Sequence, residues 1–155
     1  LAFGSVSSGY TQSRVNPVTR VVQPHRAIDY AAPAGTAIYA TADGVVSLAG
    51  WKDNAYGYTV EIKHTNGYKT QYAHMSEVAK DIKRNSEVIQ GETIGYVGSS
   101  GISTGPHLQY ALFKDGTPVN PLSDDLPIGT TLEGEKFDDF IKTRETLQAK
   151  LSSSN

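Results

Sequence analysis

The sequence predicts an all-β domain made mostly of antiparallel strands. Between residues 36 and 119, short runs that alternate apolar and polar residues are separated by turn signals, which is typical of such sheets. The chain has 15 Gly and 9 Tyr but one Met, and this balance favours strands and turns over long helices. Its length of 155 residues suits one domain with a core of its own.

Turn signals bound each predicted strand. The clearest is Asn66-Gly67, because Asn-Gly is a preferred two-residue turn between antiparallel strands. Alternation before it, over residues 59–63, and after it, over 68–72, predicts a hairpin. The other predicted strands are residues 37–40, 45–49 after the turn at Asp43-Gly44, 87–89, 93–97 and 108–113.

The two ends of the chain differ from the core, which we place at residues 25–121. Residues 1–24 lack a sustained period and are interpreted as an extended lead-in of the domain with short strands. Residues 122–155 are predicted to form a loop and a C-terminal helix packed on the core. The apolar residues with the spacing of one helical face are Phe137, Phe140, Ile141, Leu147 and Leu151.

Charge and cysteine content exclude several functions. The formal net charge of −2 gives no electrostatic basis for a nucleic-acid partner or an anionic membrane partner. The absence of Cys excludes disulfides, thiolate metal sites and cysteine catalysis. No apolar run approaches the ~20 residues that span a bilayer, and no signal peptide is visible. Because the chain starts at Leu1 rather than Met, we expect it to be a fragment or a processed form.

His25 and Asp29 are the first candidate metal ligands. Imidazole nitrogen and carboxylate oxygen together suit zinc, although H-x-x-x-D alone is a weak motif. On a straight strand the two Cα atoms would be ~13 Å apart, too far to share one ion. The chain must therefore bend between them, and Pro24 and the missing alternation indicate a loop here.

A second cluster places His107 and Gln109 two residues apart on a predicted strand. Such residues face the same side about 6.6 Å apart, so one could contact a metal and the other its water or the substrate. The polar loop at residues 98–105 could wall a cleft beside them. His74 ends a predicted strand and alone implies no function, while His64 is expected to be structural.

Several sequence blocks follow one another in an order that is more specific than any one of them. The blocks are H-x-x-x-D (residues 25–29), A-A-P-x-G-T (31–36), D-G-V-V (43–46), Y-G-Y-x-V-x-I-x-H (56–64), T-Q-Y-A-H-M-S (70–76), Q-G-E-x-I-G-x-V-G (90–98) and S-T-G-P-H-L (103–108). Together they resemble the catalytic domain of the lysostaphin/LytM-type (M23) zinc metallopeptidases, which cut peptidoglycan peptides. The resemblance covers roughly residues 5–121.

The resemblance implies a fold and a set of roles. The fold would be an antiparallel sheet that floors an open groove walled by loops. One Zn²⁺ would be held by His25, Asp29 and residue 109, which is the second His of an H-x-H motif in this family. His74 and His107 would assist catalysis on a zinc-activated water.

Residue 109 departs from that pattern because it is Gln109. An amide oxygen is a poorer zinc donor than a neutral imidazole and suits harder cations. We therefore expect weakened zinc binding and an impaired, potentially inactive, murein metalloendopeptidase. Since the other four positions are intact, the parent is expected to be, or to have recently been, an enzyme that was altered by engineering or by early natural decay.

The resemblance also implies partners and a location. Arg14 and Asn16 match a stretch that borders the groove in this family, so they are candidate substrate contacts. Peptidoglycan stem or cross-link peptides would be the ligands, at a bacterial cell wall in the periplasm or outside the cell. A regulatory protein or an upstream inhibitory segment would be a further partner.

Two other functions compete with this reading of the sequence. A non-catalytic peptidoglycan-binding or amidase-regulating domain would use the same groove, which Gln109 favours and the four intact positions oppose. A biotinyl or lipoyl carrier domain fails, because no lysine lies at a hairpin tip in the required motif. Lys69, after Asn66-Gly67, is in the wrong context.

Overall fold

The computed structural model describes residues 5–123. The C-terminal helix and most of the loop predicted for residues 122–155 lie outside these residues. The described strands are β1 (Val6–Ser8), β2 (Thr11–Val15), β3 (Val22–His25), β4 (Ile28–Ala31), β5 (Ala37–Tyr39), β6 (Gly44–Trp51), β7 (Tyr58–Lys63), β8 (Tyr68–Val78), β9 (Glu87–Val88), β10 (Thr93–Val97), β11 (His107–Lys114) and β12 (Thr117–Val119).

Every pairing among the strands of residues 5–123 is antiparallel, which confirms the predicted antiparallel β fold. The main sheet has 10 strands, with a central order of β1-β4-β11-β8-β7-β6-β9. Strand β10 pairs with β5 and β8, and β12 pairs with β11. Strands β2 and β3 form a separate two-stranded sheet.

The core lies against one face of the main sheet. Alternation along β7, β8 and β11 directs Ile62, Tyr72 and Leu108 into it, and each is fully buried. The intervening residues point to the opposite face, because successive side chains of a strand alternate. That face carries Glu61 and Gln109 and is the one on which the candidate site is built.

The Asn66-Gly67 turn sets the register of the central strands. The connection is a short 3₁₀ turn at Thr65–Gly67, in which Asn66 (φ 57°, ψ 32°) and Gly67 (φ 73°) both adopt left-handed conformations. The turn pairs Lys63 with Lys69, and Glu61 with Gln71. The hairpin prediction is therefore confirmed.

Candidate active site

A sharp bend brings His25 and Asp29 together. His25 ends β3 and Asp29 lies in β4, and only Arg26 and Ala27 separate the two strands. The expected bend is present, but the predicted loop is wrong, because both residues belong to strands of different sheets. His25 Nε2 and Asp29 Oδ1 are 3.1 Å apart.

These two atoms lack hydrogen-bond partners although both are buried. Within residues 5–123, His25 Nε2 and Asp29 Oδ1 are the buried side-chain nitrogen and oxygen atoms without such a partner. Leaving buried polar groups unsatisfied is costly, and an imidazole nitrogen beside a carboxylate oxygen is a donor set that suits zinc. This pair therefore fits a metal ion as two of its ligands.

Contacts around the pair orient it. The carbonyl oxygen of Gly9 lies 2.9 Å from His25 Nδ1 and accepts its hydrogen, so Nε2 keeps a free lone pair. Arg14 Nη2 lies 3.5 Å from Asp29 Oδ2 and donates to it. The arrangement leaves Asp29 Oδ1 facing His25.

His74 lies inside β8 rather than at the end of a strand, so that prediction is wrong. Its φ is 61°, which is unusual for a residue with a side chain, and its N–H bonds the Tyr56 carbonyl across the sheet. Such strain collects at functional sites because it redirects a side chain. Its Nδ1 donates to the Ser100 carbonyl at 2.8 Å.

His107 begins β11 and faces the same centre. Its Nδ1 donates to the Gly105 carbonyl at 2.8 Å, and its Nε2 lies 4.0 Å from Asp29 Oδ1. The centroids of the His74 and His107 rings are 4.7 Å apart. The same arrangement therefore occurs in three histidines of the site, His25, His74 and His107. In each, Nδ1 donates to a backbone carbonyl and Nε2 points towards the site.

Gln109 completes the cluster. Its backbone is directly opposite Asp29 on β4 and Ala73 on β8, which brings its side chain to the pair and to His74. Gln109 Oε1 lies 3.1 Å from His74 Nε2. Within residues 5–123 no group of three or more His, Cys, Asp or Glu side chains is placed to hold a metal.

The protonation state of His74 determines whether its Nε2 donates a hydrogen bond to the Gln109 amide or accepts one from it. Burial, aided by repulsion from His107, lowers the pKa of His74 against the opposing effects of Ser100, Gln109 and Asp29. A neutral ring has one N–H, which the Ser100 carbonyl takes, so Nε2 must accept. The structure places Oε1 rather than the NH₂ group 3.1 Å from Nε2, so with a neutral ring this contact is a hydrogen bond only if the amide is turned, which would direct Oε1 away from His74.

The groove runs along β11 from these residues. It has a volume of about 410 Å³; Gln109, Ala111 and Phe113 are on its floor, and Tyr56 and Ile102 line it from loops. Ile102 belongs to the loop at residues 98–105, which was expected to wall a cleft. Sequence reasoning missed the Ser100 carbonyl, because a backbone acceptor leaves no residue signature.

Arg14 and Asn16 both line this groove, but each is already engaged. Arg14 bonds Ser8 and contacts Asp29. Asn16 Oδ1 accepts the backbone N–H groups of the two residues after Pro17, at 2.9 Å each, and so shapes the β2–β3 loop. Only the NH₂ group of Asn16 remains for a ligand.

His64 lies outside the cluster. Its Nδ1 contacts the Asp43 carbonyl and its Nε2 contacts Thr70 Oγ1, each at 2.7 Å. These two bonds tie the ends of β7 and β8 to the turn before β6. The structural role expected for His64 is therefore consistent with its contacts.

The fold and this cluster define a class of protein. Residues 23–121 match the model of peptidase family M23, and the chain belongs to that family. It is 37% identical over 147 residues to the peptidoglycan DD-endopeptidase ShyA of Vibrio cholerae, covering 95% of this chain and 34% of that protein. It is 43% identical over 136 residues to the DD-carboxypeptidase/endopeptidase Mpg of Neisseria meningitidis, covering 88% and 30%.

A solved structure agrees with these relatives. A zinc-containing peptidase from Vibrio cholerae superposes with a TM-score of 0.73 at 35% identity, over 81% of this chain and 38% of that one. The chain thus spans about a third of the length of the relatives it matches. Among residues 5–123, no helix is long and apolar enough to cross a membrane.

Proposed function

We propose that this chain is the catalytic domain of a peptidoglycan metalloendopeptidase that hydrolyses cross-link peptides, and that Gln109 weakens its metal site. The observation that carries the proposal is the buried pair of His25 Nε2 and Asp29 Oδ1, which are 3.1 Å apart and without hydrogen-bond partners. Family membership and the endopeptidase names of ShyA and Mpg support the reaction class and the substrate.

His25 and Asp29 would hold one Zn²⁺, with Gln109 as the third protein ligand in place of the histidine that the family pattern has. When bound, zinc lowers the pKa of a coordinated water and polarises the scissile carbonyl. An amide oxygen is a weaker zinc donor than imidazole, and His74 competes for the Gln109 amide. We therefore expect weak zinc affinity and slow turnover.

His74 and His107 would move protons. In both, a backbone carbonyl holds Nδ1, so Nε2 is the atom that exchanges a proton, and in His74 that atom must first leave its contact with Gln109. The lowered pKa of His74 keeps its ring neutral near pH 7, as a general base requires. Either ring, once protonated, could donate to the developing oxyanion or to the leaving amine.

The groove would bind the peptide and orient it. Arg14 and Asn16 border the metal pair on the β2 side, where a guanidinium and an amide NH₂ group can donate to peptide carbonyls or carboxylates. We place this domain in the periplasm or outside the cell, at the cell wall. A regulatory protein or an inhibitory segment elsewhere in the full-length protein is a further proposed partner, supported by the greater length of the relatives.

A second candidate is a non-catalytic peptidoglycan-binding or amidase-regulating domain. It is favoured by Gln109, since within residues 5–123 no set of three His, Cys, Asp or Glu side chains could hold a metal. This candidate predicts peptide binding without cleavage. A non-catalytic function does not explain why the Nε2 atoms of His74 and His107 both point towards the site.

The test is release of soluble muropeptides from isolated peptidoglycan by the purified chain with zinc. Slow release that the His25→Ala variant abolishes would support the metalloendopeptidase. Gln109→His is expected to release fragments faster. If neither the parent nor Gln109→His cleaves while both are folded and bind peptidoglycan, the non-catalytic function is correct.

A further inference from the structure

A cluster of charged residues lies on the groove face of the sheet, away from the metal pair. Glu61 on β7 accepts hydrogen bonds from two lysines, Lys52 Nζ at 2.7 Å and Lys69 Nζ at 3.0 Å. Lys52 Nζ also donates to Gln71 Oε1 at 2.9 Å. With two ammonium groups around one carboxylate, the cluster has one positive charge in excess.

Strand register places this cluster at the edge of the groove. Gln71 is opposite both Glu61 on β7 and Ala111 on β11, and Lys69 is opposite Phe113. Gln71, Ala111 and Phe113 all line the groove. The ammonium groups also lie over aromatic rings that line it, with Lys52 4.5 Å from the centroid of Tyr56 and Lys69 4.6 Å from that of Phe113.

The lysines retain hydrogen-bonding capacity. Each ammonium carries three N–H donors. Lys52 uses two, on Glu61 and Gln71, and Lys69 uses one, on Glu61. Within residues 5–123 neither ammonium has another hydrogen-bond acceptor, so one donor of Lys52 and two of Lys69 remain for a ligand. Their side chains are 25% and 30% exposed, against 11% for Glu61.

The rest of the groove has the same sign of charge. Arg14 and Arg26 line it; Arg14 is paired with Asp29, so within residues 5–123 Arg26 is the groove-lining cation without a carboxylate partner. The chain as a whole has a net charge of −2, so the groove differs from the protein around it. A groove of this sign favours an anionic ligand.

We propose that Lys52 and Lys69, held by Glu61, form a subsite for a carboxylate of the peptide bound in the groove. The proposal rests on the proposed function, because it assumes that the groove holds a peptide. On β11, Ala111, which is opposite Gln71, is two residues beyond Gln109, and Phe113 is four residues beyond it. These separations correspond to about 7–13 Å along a strand. An extended peptide covers that distance in roughly two to four residues, so the carboxylate lies that far from the scissile bond.

Glu61 is the positioning residue of the subsite. It keeps two like-charged ammonium groups together beside the groove and neutralises one of them, so the excess charge is available to a ligand. The second lysine, with two unused donors, gives the cluster its capacity to bind an anion.

The experiment is calorimetric binding of two synthetic probes to the purified chain, so that cleavage is not required. One probe is a cross-linked peptide dimer with free carboxylates on its diamino acids, and the other is the same dimer with those groups amidated. The parent chain is expected to bind the carboxylate dimer at least tenfold more tightly. Lys69→Met should reduce this preference to threefold or less, and Lys69→Arg should retain it.

Lys83→Met is the matched control. Lys83 is exposed between β8 and β9 and does not line the groove, so its loss should leave the preference unchanged. Equal affinity of the parent for both dimers, or an equal effect of Lys83→Met and Lys69→Met, would overturn the subsite while the proposed function stands. Failure of the folded parent to bind either dimer would overturn both.

Discussion

Replacing Gln109 by His should strengthen zinc binding by a predictable amount. The backbone of residue 109 is opposite Asp29 in the register of β4 and β11, so an imidazole there can reach the His25–Asp29 pair. Loss of an outer partner of a metal ligand costs about 10–100-fold in affinity, so a new imidazole ligand should add about 100-fold, or about 2.7 kcal/mol.

The substitution also removes a competing contact. Gln109 and His74 lie 3.1 Å apart, and a parent that coordinates zinc through Gln109 must give up that contact, which is worth about 1 kcal/mol as a hydrogen bond. The variant does not bear this cost, so the gain is about 3.7 kcal/mol, which corresponds to roughly 500-fold tighter zinc binding. Part of that gain will appear as faster cleavage, because a better-held metal orients its water more precisely.

The assay is competition for zinc against a fluorescent chelator, with the metal-free parent, Gln109→His and Gln71→His side by side. Gln71 lies in the same groove on the neighbouring strand but is not opposite Asp29, so Gln71→His adds an imidazole at the wrong place. The reasoning is refuted if Gln109→His binds zinc no more tightly than the parent, or if Gln71→His gains as much.

Three further predictions concern stability. The two lysines around Glu61 outweigh its burial and hold its pKa below 4.5, so Glu61→Gln should cost about 1–3 kcal/mol near pH 7. Because a lowered carboxyl pKa stabilises the fold above its usual value, denaturant titrations should show this difference shrinking as pH falls below 4.5; a constant difference would contradict it. Leu108→Ala removes a fully buried side chain and should lower the free energy of unfolding by about 2–5 kcal/mol, and a loss under about 1 kcal/mol would mean that the core is not packed as described. Gly57→Ala places a Cβ 2.5 Å from the Ser100 carbonyl carbon at φ +65° and should lower the melting temperature. Gly91→Ala, at φ +85° with no atom within 4 Å, should lower it less, and equal shifts would show that the clash is relieved.

The sheet was predictable because its signals are local. Alternation and the Asn66-Gly67 turn fix the central hairpin before any tertiary contact is known. The motifs named residues that the structure brings together, but they did not give the geometry of that cluster. The left-handed φ of His74 and the carbonyl of Ser100 depend on how a distant loop meets β8, which no spacing in the sequence records.

The charged cluster escaped prediction for a similar reason. Lys52 follows β6, while Glu61 and Lys69 belong to two later strands, so their meeting depends on register across three strands. A bulge shifts the register of β6 against β7 between Val46 and Leu48, and alternation alone does not place it. Lysines that are isolated in a sequence with an ordinary content of charged residues do not indicate that they contact the same carboxylate.

Backbone carbonyls that hold Nδ1 of His25, His74 and His107 make the site modular. None of these three bonds involves the side chain of residue 109, so a change there leaves the imidazoles aligned. Glutamine and histidine codons differ only in their third base. A single point mutation therefore separates the chain as it stands from one with an imidazole at residue 109, and that step can be crossed in either direction without rebuilding the fold.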